Sequence, residues 1–273
     1  MYKLGIETLP YRDFSLEVSL KEIADLGYEW VNLWASRDPL PSHITGEDDP
    51  KKVRDLLDKY HLKPSAISAF IMDIDETVKR IEFAGQLGID TIVFHCAAAF
   101  DEFTTSFLPP VLAAAKKNGL KVAVENHITV PSEAGIEEAG VDTLAQINRL
   151  LTEIDDPSLG ICVAPAHLWV LGETISQVIT YLMERKKLFF YYAWDISSAY
   201  CRGKDGLDFG PAEEQLPRPD GTLDHSVLMK TLKQTGYDGV VSLCCHGTSG
   251  WPIEKINAEL AKSTEYIKRC ASY

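Results

Sequence analysis

Three polar side chains that can bind a metal ion or a substrate end one apolar segment. Glu125, Asn126 and His127 directly follow the run Lys-Val-Ala-Val, which the turn-like Asn118-Gly119-Leu120 introduces. Such a short β-branched run is typical of a buried parallel strand. In parallel α/β folds polar chemistry collects at the carboxyl end of the strands, where the sheet opens to solvent. The sequence therefore predicts a functional site at this strand end, with solvated loop residues as the plain alternative.

Comparable polar residues stand at or just beyond the other predicted strand ends. They are Glu7, Asn32, His95, Cys96, His167, Tyr192, Asp195, Cys244, Cys245 and His246. Together with His127, this set contains four of the seven histidines of the chain. His95 lies between Phe94 and Cys96, and the alternative interpretation is a buried histidine whose hydrogen bonds are made within the core. His167 and His246 lie slightly beyond their strands, and this favours a pocket role.

Glycines mark the joints between helix-like and strand-like segments. Leu-Gly, Asn-Gly or Thr-Gly pairs at Gly27, Gly88, Gly119 and Gly236 end helical patterns, and a β-rich run follows each within a few residues. Filling the intervals predicts eight strands, near 3–8, 30–35, 65–70, 91–96, 121–126, 159–164, 189–195 and 239–245. A final helix is expected at about 253–269.

Eight strands that alternate with helices in units of roughly 34 residues are typical of a (β/α)8 TIM barrel, an α/β fold of about 250 residues. No linker divides the chain, so we expect residues 1–273 to form a single domain. An open doubly wound sheet is the alternative. It would require a glycine-rich phosphate turn after the first strand, where the sequence has Glu7-Thr8-Leu9-Pro10. Two long connections, 128–141 and 197–223, are expected to cover or shape a site.

Composition excludes some classes of function. The 40 acidic and 27 basic residues give a formal net charge of -13, which argues against a surface for nucleic acid or for an anionic membrane. No apolar run approaches the roughly 18 residues that span a bilayer, and the first residues do not resemble a signal peptide. The six cysteines lack a paired zinc spacing. We therefore expect a cytoplasmic protein with reduced thiols.

Four segments together resemble the xylose-isomerase-like barrels. They are Val124-Glu125-Asn126-His127, Gly160 to His167, the seventh strand ending in Asp195, and Gly236 to Leu243. This superfamily includes sugar phosphate isomerases and epimerases, ketose 3-epimerases, inosose dehydratases, hydroxypyruvate isomerases and endonuclease IV. The resemblance extends over essentially the whole chain, and it identifies the superfamily well but the substrate poorly.

The resemblance implies a divalent metal such as zinc, manganese or magnesium, held by Glu, Asp, His and Glu on strands five to eight. Glu125 matches the strand-five ligand, and His167 matches a histidine three residues after the strand-six Asp. The other ligand positions fall on Ala164, on Tyr192 or its neighbour Ala193, and on Cys244. One carboxylate alone holds a hard divalent ion poorly, so this site is expected to be absent or rebuilt. A rebuilt zinc site would draw on Glu125, His127, His167, Asp195, Cys244 and His246.

The leading hypothesis is a sugar or sugar phosphate isomerase, epimerase or lyase that acts by proton transfer next to a carbonyl. Its candidate catalytic residues are Glu125 as the base, His167 and Asp195. The candidate substrate-binding residues are His95, Asn126, His127, Trp169, Tyr192, Trp194 and His246. The alternative is a non-catalytic sugar-binding protein or partner subunit that has lost the metal site. In either case the expected ligand is a small carbohydrate or related polyol, and oligomerisation is common in the superfamily.

Overall fold

Eight short apolar segments form the parallel strands that the sequence predicts. A computed structural model describes residues 2–36, 42–69, 73–96, 98–128, 140–197, 201–203 and 206–271, with the backbone alone at 201–203 and 206–208. The strands are β1 (Lys3–Glu7), β2 (Trp30–Trp34), β3 (Lys63–Ser68), β4 (Thr91–His95), β5 (Lys121–Glu125), β6 (Leu159–Val163), β7 (Leu188–Ala193) and β8 (Val240–Leu243).

The strands close into a barrel in the order β1-β8-β7-β6-β5-β4-β3-β2. Every neighbouring pair is parallel, and the pairing of Lys3 with Val240 and of Ile6 with Leu243 closes the ring between the first and last strands. This confirms the predicted (β/α)8 architecture and excludes the open doubly wound sheet. Closure brings the carboxyl ends of all eight strands to one mouth, where β1 and β8 are direct neighbours.

Helices connect the strands on the outside of the barrel. They are α1 (Leu16–Asp25), α2 (Pro50–Lys59), α3 (Ile74–Gln86), α4 (Leu108–Lys117), α5 (Leu144–Glu153), α6 (Pro165–Val170), α7 (Ile175–Glu184), α8 (His225–Gln234) and α9 (Ile253–Ala271). The four predicted joint glycines, Gly27, Gly88, Gly119 and Gly236, all have φ between 67° and 80°. Because L side chains rarely adopt this conformation, glycine ends each helix there and lets the chain turn into the next strand.

Side chains alternate between two apolar clusters. One cluster fills the space between the strands and the helices, and it includes Ile6, Val31 and Leu243. The other lies inside the barrel and includes the small residues Ala66, Ala123 and Cys162. Because successive strand residues point to opposite faces, this alternation fixes which of the terminal strand residues face the mouth.

Of the two long connections, residues 129–139 lie outside the described part of the chain. The connection after β7 contains a two-stranded antiparallel sheet, Cys201–Gly203 with Gly206–Asp208, and a short helix, Ala212–Gln215. Among the described residues, no helix combines the length and the apolar character needed to cross a membrane.

Candidate active site

A hydrogen-bonded group of side chains lies at the centre of the mouth around Glu7. The Glu7 carboxylate accepts from Tyr192 Oη at 3.2 Å and from Asn32 Nδ2 at 3.1 Å, both at its Oε1 atom. Asn32 Nδ2 also lies 2.7 Å from Ser68 Oγ, which is itself 2.5 Å from the Tyr192 hydroxyl. These four side chains come from β1, β2, β3 and β7 and are fully buried. The inward-facing side chains of these four strands therefore meet around the Glu7 carboxylate.

Cys244, directly after β8, adds a further donor to this carboxylate. Its thiol lies 3.1 Å from Glu7 Oε2 and 3.7 Å from His246 Nε2. Burial raises the pKa of Glu7 to about 7, while hydrogen bonds from Ser68, Cys244 and Tyr192 hold it back from a larger rise. The same burial, together with the Glu7 charge, raises the pKa of the Cys244 thiol well above its ordinary value. At neutral pH Cys244 is therefore a thiol that donates, and Glu7 has a pKa raised towards neutral pH.

Glu125 at the end of β5 has a different environment. It is 3% exposed, and its Oε1 lies 3.7 Å from Nε2 of His167, which is 1% exposed. Within the described residues, Glu125 Oε2 and both ring nitrogens of His167 lack a hydrogen-bond partner. Burial, and then the charge of Glu7, raises the pKa of Glu125 well above its ordinary value. The mouth thus holds two carboxyl groups, Glu7 and Glu125, whose pKa values are both raised.

Imidazole rings surround the Glu125 side of the mouth. The rings of His95 and His127 stack at 4.4 Å between centroids, and His127 lies 4.2 Å from His167. Burial lowers the pKa of His127 to about 4 and that of His246 to about 3. It also lowers the pKa of His95 and His167 well below the ordinary value. These imidazoles are therefore neutral at pH 7, and each can both donate and accept a hydrogen bond.

Aromatic rings complete the wall of the mouth. Trp194, two residues beyond Tyr192, lies 4.9 Å from His167 and 5.2 Å from His246 between ring centroids. Phe209, from the long connection after β7, lies 4.7 Å from Trp194. Trp34 meets His246 edge to face at 6.2 Å. The connection after β7 thus contributes Phe209 to the wall of the mouth, in agreement with the prediction that this connection shapes the site.

Two predicted site residues have other surroundings. Asn126 accepts from the backbone nitrogen of Ala164 at 2.8 Å and donates to its carbonyl at 3.0 Å, so its amide joins the ends of β5 and β6. Trp169 lies on α6 and is 39% exposed. Asn126 therefore positions its neighbour Glu125, and the Trp169 side chain is open to solvent.

Asp195 lies at the root of the long connection after β7. Its Oδ1 accepts from the backbone nitrogens of Ile196 at 2.8 Å and Leu223 at 3.1 Å, and its Oδ2 lies 3.6 Å from Nε2 of His225 on α8. Its own nitrogen donates to the carbonyl of Gln215 at 2.8 Å. Asp195 thus joins both ends of the segment that carries Phe209, and these contacts are separate from the Glu125–His167 pair.

The described residues do not fit the metal site that the resemblance implies. Among them, no group of three or more His, Cys, Asp or Glu side chains is placed to hold one ion. Ala164 has no ligand atom, the Tyr192 hydroxyl bonds to Ser68 and Glu7, and the Cys244 thiol donates to Glu7. The set of six side chains considered for a rebuilt zinc site also includes Asp195, which is bonded elsewhere. The described residues therefore offer no ligand set for a metal-assisted step.

Three residues of this site have no role in the prediction from sequence. That prediction places Glu7 and Asn32 at the mouth without a function, and it does not include Ser68. The available signal was position: Glu7 and Ser68 end their strands, and Asn32 lies two residues before the end of β2. Serine and asparagine are common near strand ends, so only the closed barrel shows that these side chains meet.

Comparisons with known proteins agree with this architecture. The chain is 25% identical over 258 residues to an inosose dehydratase from Lacticaseibacillus casei, covering 82% of this chain and 80% of that protein. The crystal structure of the IolI protein with a bound zinc atom matches with a TM-score of 0.75 at 19% identity, over 99% of this chain and 100% of that one. An L-ribulose 3-epimerase structure matches with a TM-score of 0.73 at 14% identity, over 100% and 95% of the two chains.

Both structural likenesses concern the fold, since their sequence identities are low. The sequence itself assigns the family, because the family model described as "Xylose isomerase-like TIM barrel" matches residues 20–270, nearly the whole chain. The closed barrel of eight parallel strands and the polar mouth at its carboxyl end agree with that match. The protein belongs to the xylose isomerase-like TIM barrel family.

Proposed function

We propose that this protein is an enzyme of carbohydrate metabolism that moves a proton at a carbon next to a carbonyl group. The observation that carries the proposal is Glu125, a buried carboxyl group with one oxygen that has no hydrogen-bond partner among the described residues, beside the imidazole of His167, whose two nitrogens likewise have none there. Buried polar groups are normally hydrogen-bonded, so this pair is suited to meet the polar atoms of a ligand. A raised carboxyl pKa also suits a group that gives and takes protons near neutral pH.

In its ionised form Glu125 accepts the proton of the carbon next to the carbonyl. The electron pair of the broken C–H bond forms a C=C bond, and the carbonyl π pair moves onto oxygen to give an enolate. The neutral His167 ring donates a hydrogen bond to that oxygen and so stabilises its charge. Return of a proton to the opposite face of the same carbon, with the carbonyl re-formed, completes an epimerisation. Protonation of the former carbonyl carbon, with the proton of the neighbouring hydroxyl passing to the enolate oxygen so that the neighbouring oxygen becomes the carbonyl, completes an isomerisation. Departure of a hydroxyl from the next carbon as water, with its proton supplied by the protonated Glu125 and the carbonyl re-formed, completes a dehydration.

The relatives support a sugar or a cyclic polyol ketone as the substrate class. By their names, one similar protein acts on an inosose and another on L-ribulose. The faces of Trp34, Trp194 and Phe209 offer apolar surface for the C–H side of such a ring, while the neutral imidazoles offer partners for its hydroxyl groups. We assign His95, His127 and His246 to substrate binding on this basis.

A panel of inososes, L-ribulose and D-allulose, incubated with wild type and with Glu125→Gln, tests the proposal. Conversion and solvent-deuterium uptake would be followed by NMR. We expect wild type to convert at least one of these ketones and Glu125→Gln to lose that activity by roughly 100-fold or more, the range of general base catalysis. The exposed Glu29, at the opposite end of the barrel, provides the matched control Glu29→Gln, which should retain full activity. Unchanged turnover in Glu125→Gln would remove the role of this residue.

A non-catalytic sugar-binding subunit is the second candidate, and one observation favours it. The hydroxyl of Tyr192 and the thiol of Cys244 occupy positions that the resemblance gives to metal ligands, and both are bonded to Glu7. Titration calorimetry with the same ketones separates the candidates. Binding of a ketone that is neither converted nor exchanged with solvent would favour the binding protein, whereas turnover excludes it.

A further inference from the structure

Gln215 ends the short helix Ala212–Gln215 in the connection after β7, and its side chain is buried. Its amide links two separate segments of the chain. Nε2 donates to the carbonyl of Gly210 at 2.9 Å, and Oε1 accepts from the backbone nitrogen of His246 at 2.9 Å. Gly210 directly follows Phe209. One side chain thus connects the backbones that carry two rings of the mouth.

The two partners of this side chain require an amide. A carbonyl needs a donor and a backbone N–H needs an acceptor, and glutamine offers both on one planar group. The same two partners determine which end of the amide is oxygen. An ionised carboxylate would instead turn an oxygen towards the carbonyl oxygen of Gly210, and an apolar side chain would leave both backbone groups without this partner. Gln215 therefore does what neither an ionised nor an apolar side chain does at this position.

The two linked segments also pack directly against each other beside Gln215. A Cβ atom on Gly247 would lie 2.9 Å from both Gln215 Nε2 and Ala212 Cβ, so only glycine fits there. The Cys245 thiol donates to the carbonyl of Ala212 at 3.5 Å. Because this contact is close, the Gln215 amide has little space in which to turn away from its partners.

The backbone around Phe209 is held on both sides. Its own carbonyl accepts from the backbone nitrogen of Ser197 at 3.2 Å, and the next carbonyl, that of Gly210, accepts from Gln215. Gly210 has a φ of 79°, and a Cβ atom there would overlap the Cβ of Ser197. The position of the Phe209 ring therefore depends on these two hydrogen bonds, and one of them comes from the Gln215 side chain.

The two rings that Gln215 connects face each other in the mouth. Phe209 and His246 lie 5.9 Å apart between ring centroids, with an angle of 29° between their planes. Trp194 lies against both rings, at 4.7 Å from Phe209 and 5.2 Å from His246. A change in the hydrogen bonds of Gln215 would therefore change the spacing within this group of rings.

We propose that Gln215 is a positioning residue, which sets the spacing of Phe209 and His246 and thereby the affinity of the site for its substrate. This role rests on the proposed function, in which these two rings contact the substrate. Among the described residues, Gln215 hydrogen-bonds to neither Glu125 nor His167, so it acts on the wall of the mouth and not on the proton transfer. Removal of its amide should weaken substrate binding more than it slows turnover.

The first test measures kcat and KM of Gln215→Met with the ketone that wild type converts, chosen from inososes, L-ribulose and D-allulose. Methionine keeps the length of the side chain but lacks the amide donor and acceptor. We expect KM to rise about tenfold, the equivalent of one or two lost hydrogen bonds, and kcat to change by about threefold or less. Gln234→Met, at the exposed end of α8, is the matched control and should behave as wild type.

Gln215→Glu gives a readout that a purely structural role would not produce. When protonated, its carboxyl group can donate to Gly210 and accept from His246 as the amide does, and when ionised it cannot donate. Burial raises the pKa of such a carboxyl group towards neutral pH. Titration calorimetry from about pH 5 to about pH 9 should therefore give wild-type affinity at the acidic end and about tenfold weaker binding at the alkaline end, relative to wild type at the same pH.

Several results would overturn the role of Gln215. An unchanged KM in a folded Gln215→Met, or a kcat that falls while KM stays constant, removes the positioning role and leaves the proposed function intact. A loss of affinity in Gln215→Glu that does not vary with pH makes the amide a structural element only. This variant also tests the role if Gln215→Met does not fold.

Failure of the proposed function gives a different pattern. A wild type that binds a ketone without converting it contradicts the proposed function, and the dissociation constants of Gln215→Met and Gln215→Glu then test the positioning role in the same way. A wild type that neither binds nor converts any of these ketones contradicts both proposals.

Discussion

The two sides of the barrel mouth differ in how their polar atoms are partnered. On the hydrogen-bonded side, formed by Glu7, Asn32, Ser68, Tyr192 and Cys244, every one of these side chains bonds to at least one of the others, and of their nitrogen and oxygen atoms only Asn32 Oδ1 lacks a partner among the described residues. On the open side, formed by Glu125 and His167, three polar atoms lack a partner among the described residues, and the nearest approach of the two groups is 3.7 Å. Both sides are buried to a similar degree.

The difference separates scaffold from function. An unpartnered buried polar group costs about 1–3 kcal/mol of stability, and such groups persist where a ligand completes them. The hydrogen-bonded side fixes the position and the charge of Glu7, whereas the open side keeps its hydrogen-bonding capacity for the ligand. Substitutions should therefore lower stability on the first side and should not lower it on the second.

Asn32→Leu should give the largest loss of stability. It removes the amide that contacts Glu7, Ser68 and Tyr192 at once, and the cost of leaving several buried groups short of a partner is about 3 kcal/mol. Urea unfolding of both proteins measures it. The control is Asn148→Leu on the exposed face of α5, which should change the free energy of unfolding by about 0.5 kcal/mol or less. Equal effects of the two substitutions would contradict a structural role for the hydrogen-bonded side.

The pH dependence of stability should depend on Glu7. Its pKa is raised from 4.5 to about 7 on folding, so the unfolded chain releases this proton at a lower pH than the native protein does. The contribution of Glu7 to stability is therefore complete below pH 4.5 and is lost as the pH rises to about 7. Unfolding of wild type and Glu7→Gln across this range checks the sign: wild type should lose stability relative to the variant. Parallel curves would mean that Glu7 titrates normally.

The elements of the fold could be predicted from sequence because their signals are local. The glycine of the Leu87-Gly88 joint ends one helix and starts the next strand, and it has the expected positive φ of 67°. The strand 121–126 was predicted within one residue of β5 from its β-branched run. Signals of this kind depend on the backbone preferences of a few adjacent residues.

The partners within the site could not be predicted in the same way. Tyr192 and Glu7 are 185 residues apart in sequence, and nothing near either residue indicates that they meet. The face of the sheet to which a strand side chain points depends on the register of the strand, and a shift of the register by one residue moves the side chain to the opposite face. That is why Trp194 contacts His167 in the mouth, whereas the adjacent Asp195 bonds to the backbone of Leu223.

Tyr192→Phe should give a moderate loss of stability on the hydrogen-bonded side. The ring still fills its place in the barrel, while Glu7 and Ser68 each lose one hydrogen bond, at a cost of about 1–2 kcal/mol. Tyr181→Phe on α7 is the matched control, because its hydroxyl bonds to the exposed Asn148 and solvent can replace that bond. A melting temperature of Tyr192→Phe no lower than that of the control would show that the network contributes little.

Glu125→Gln should give no loss of stability, although it removes the proposed catalytic group. Glutamine keeps the shape of the side chain, and burial already disfavours the charged form of Glu125 in the native protein. Because the raised pKa lowers wild-type stability above pH 4.5, the free energy of unfolding of the variant at pH 7 should equal or exceed that of wild type. A loss of about 3 kcal/mol would instead place Glu125 in the scaffold. The open side would then require a structural partner rather than a ligand.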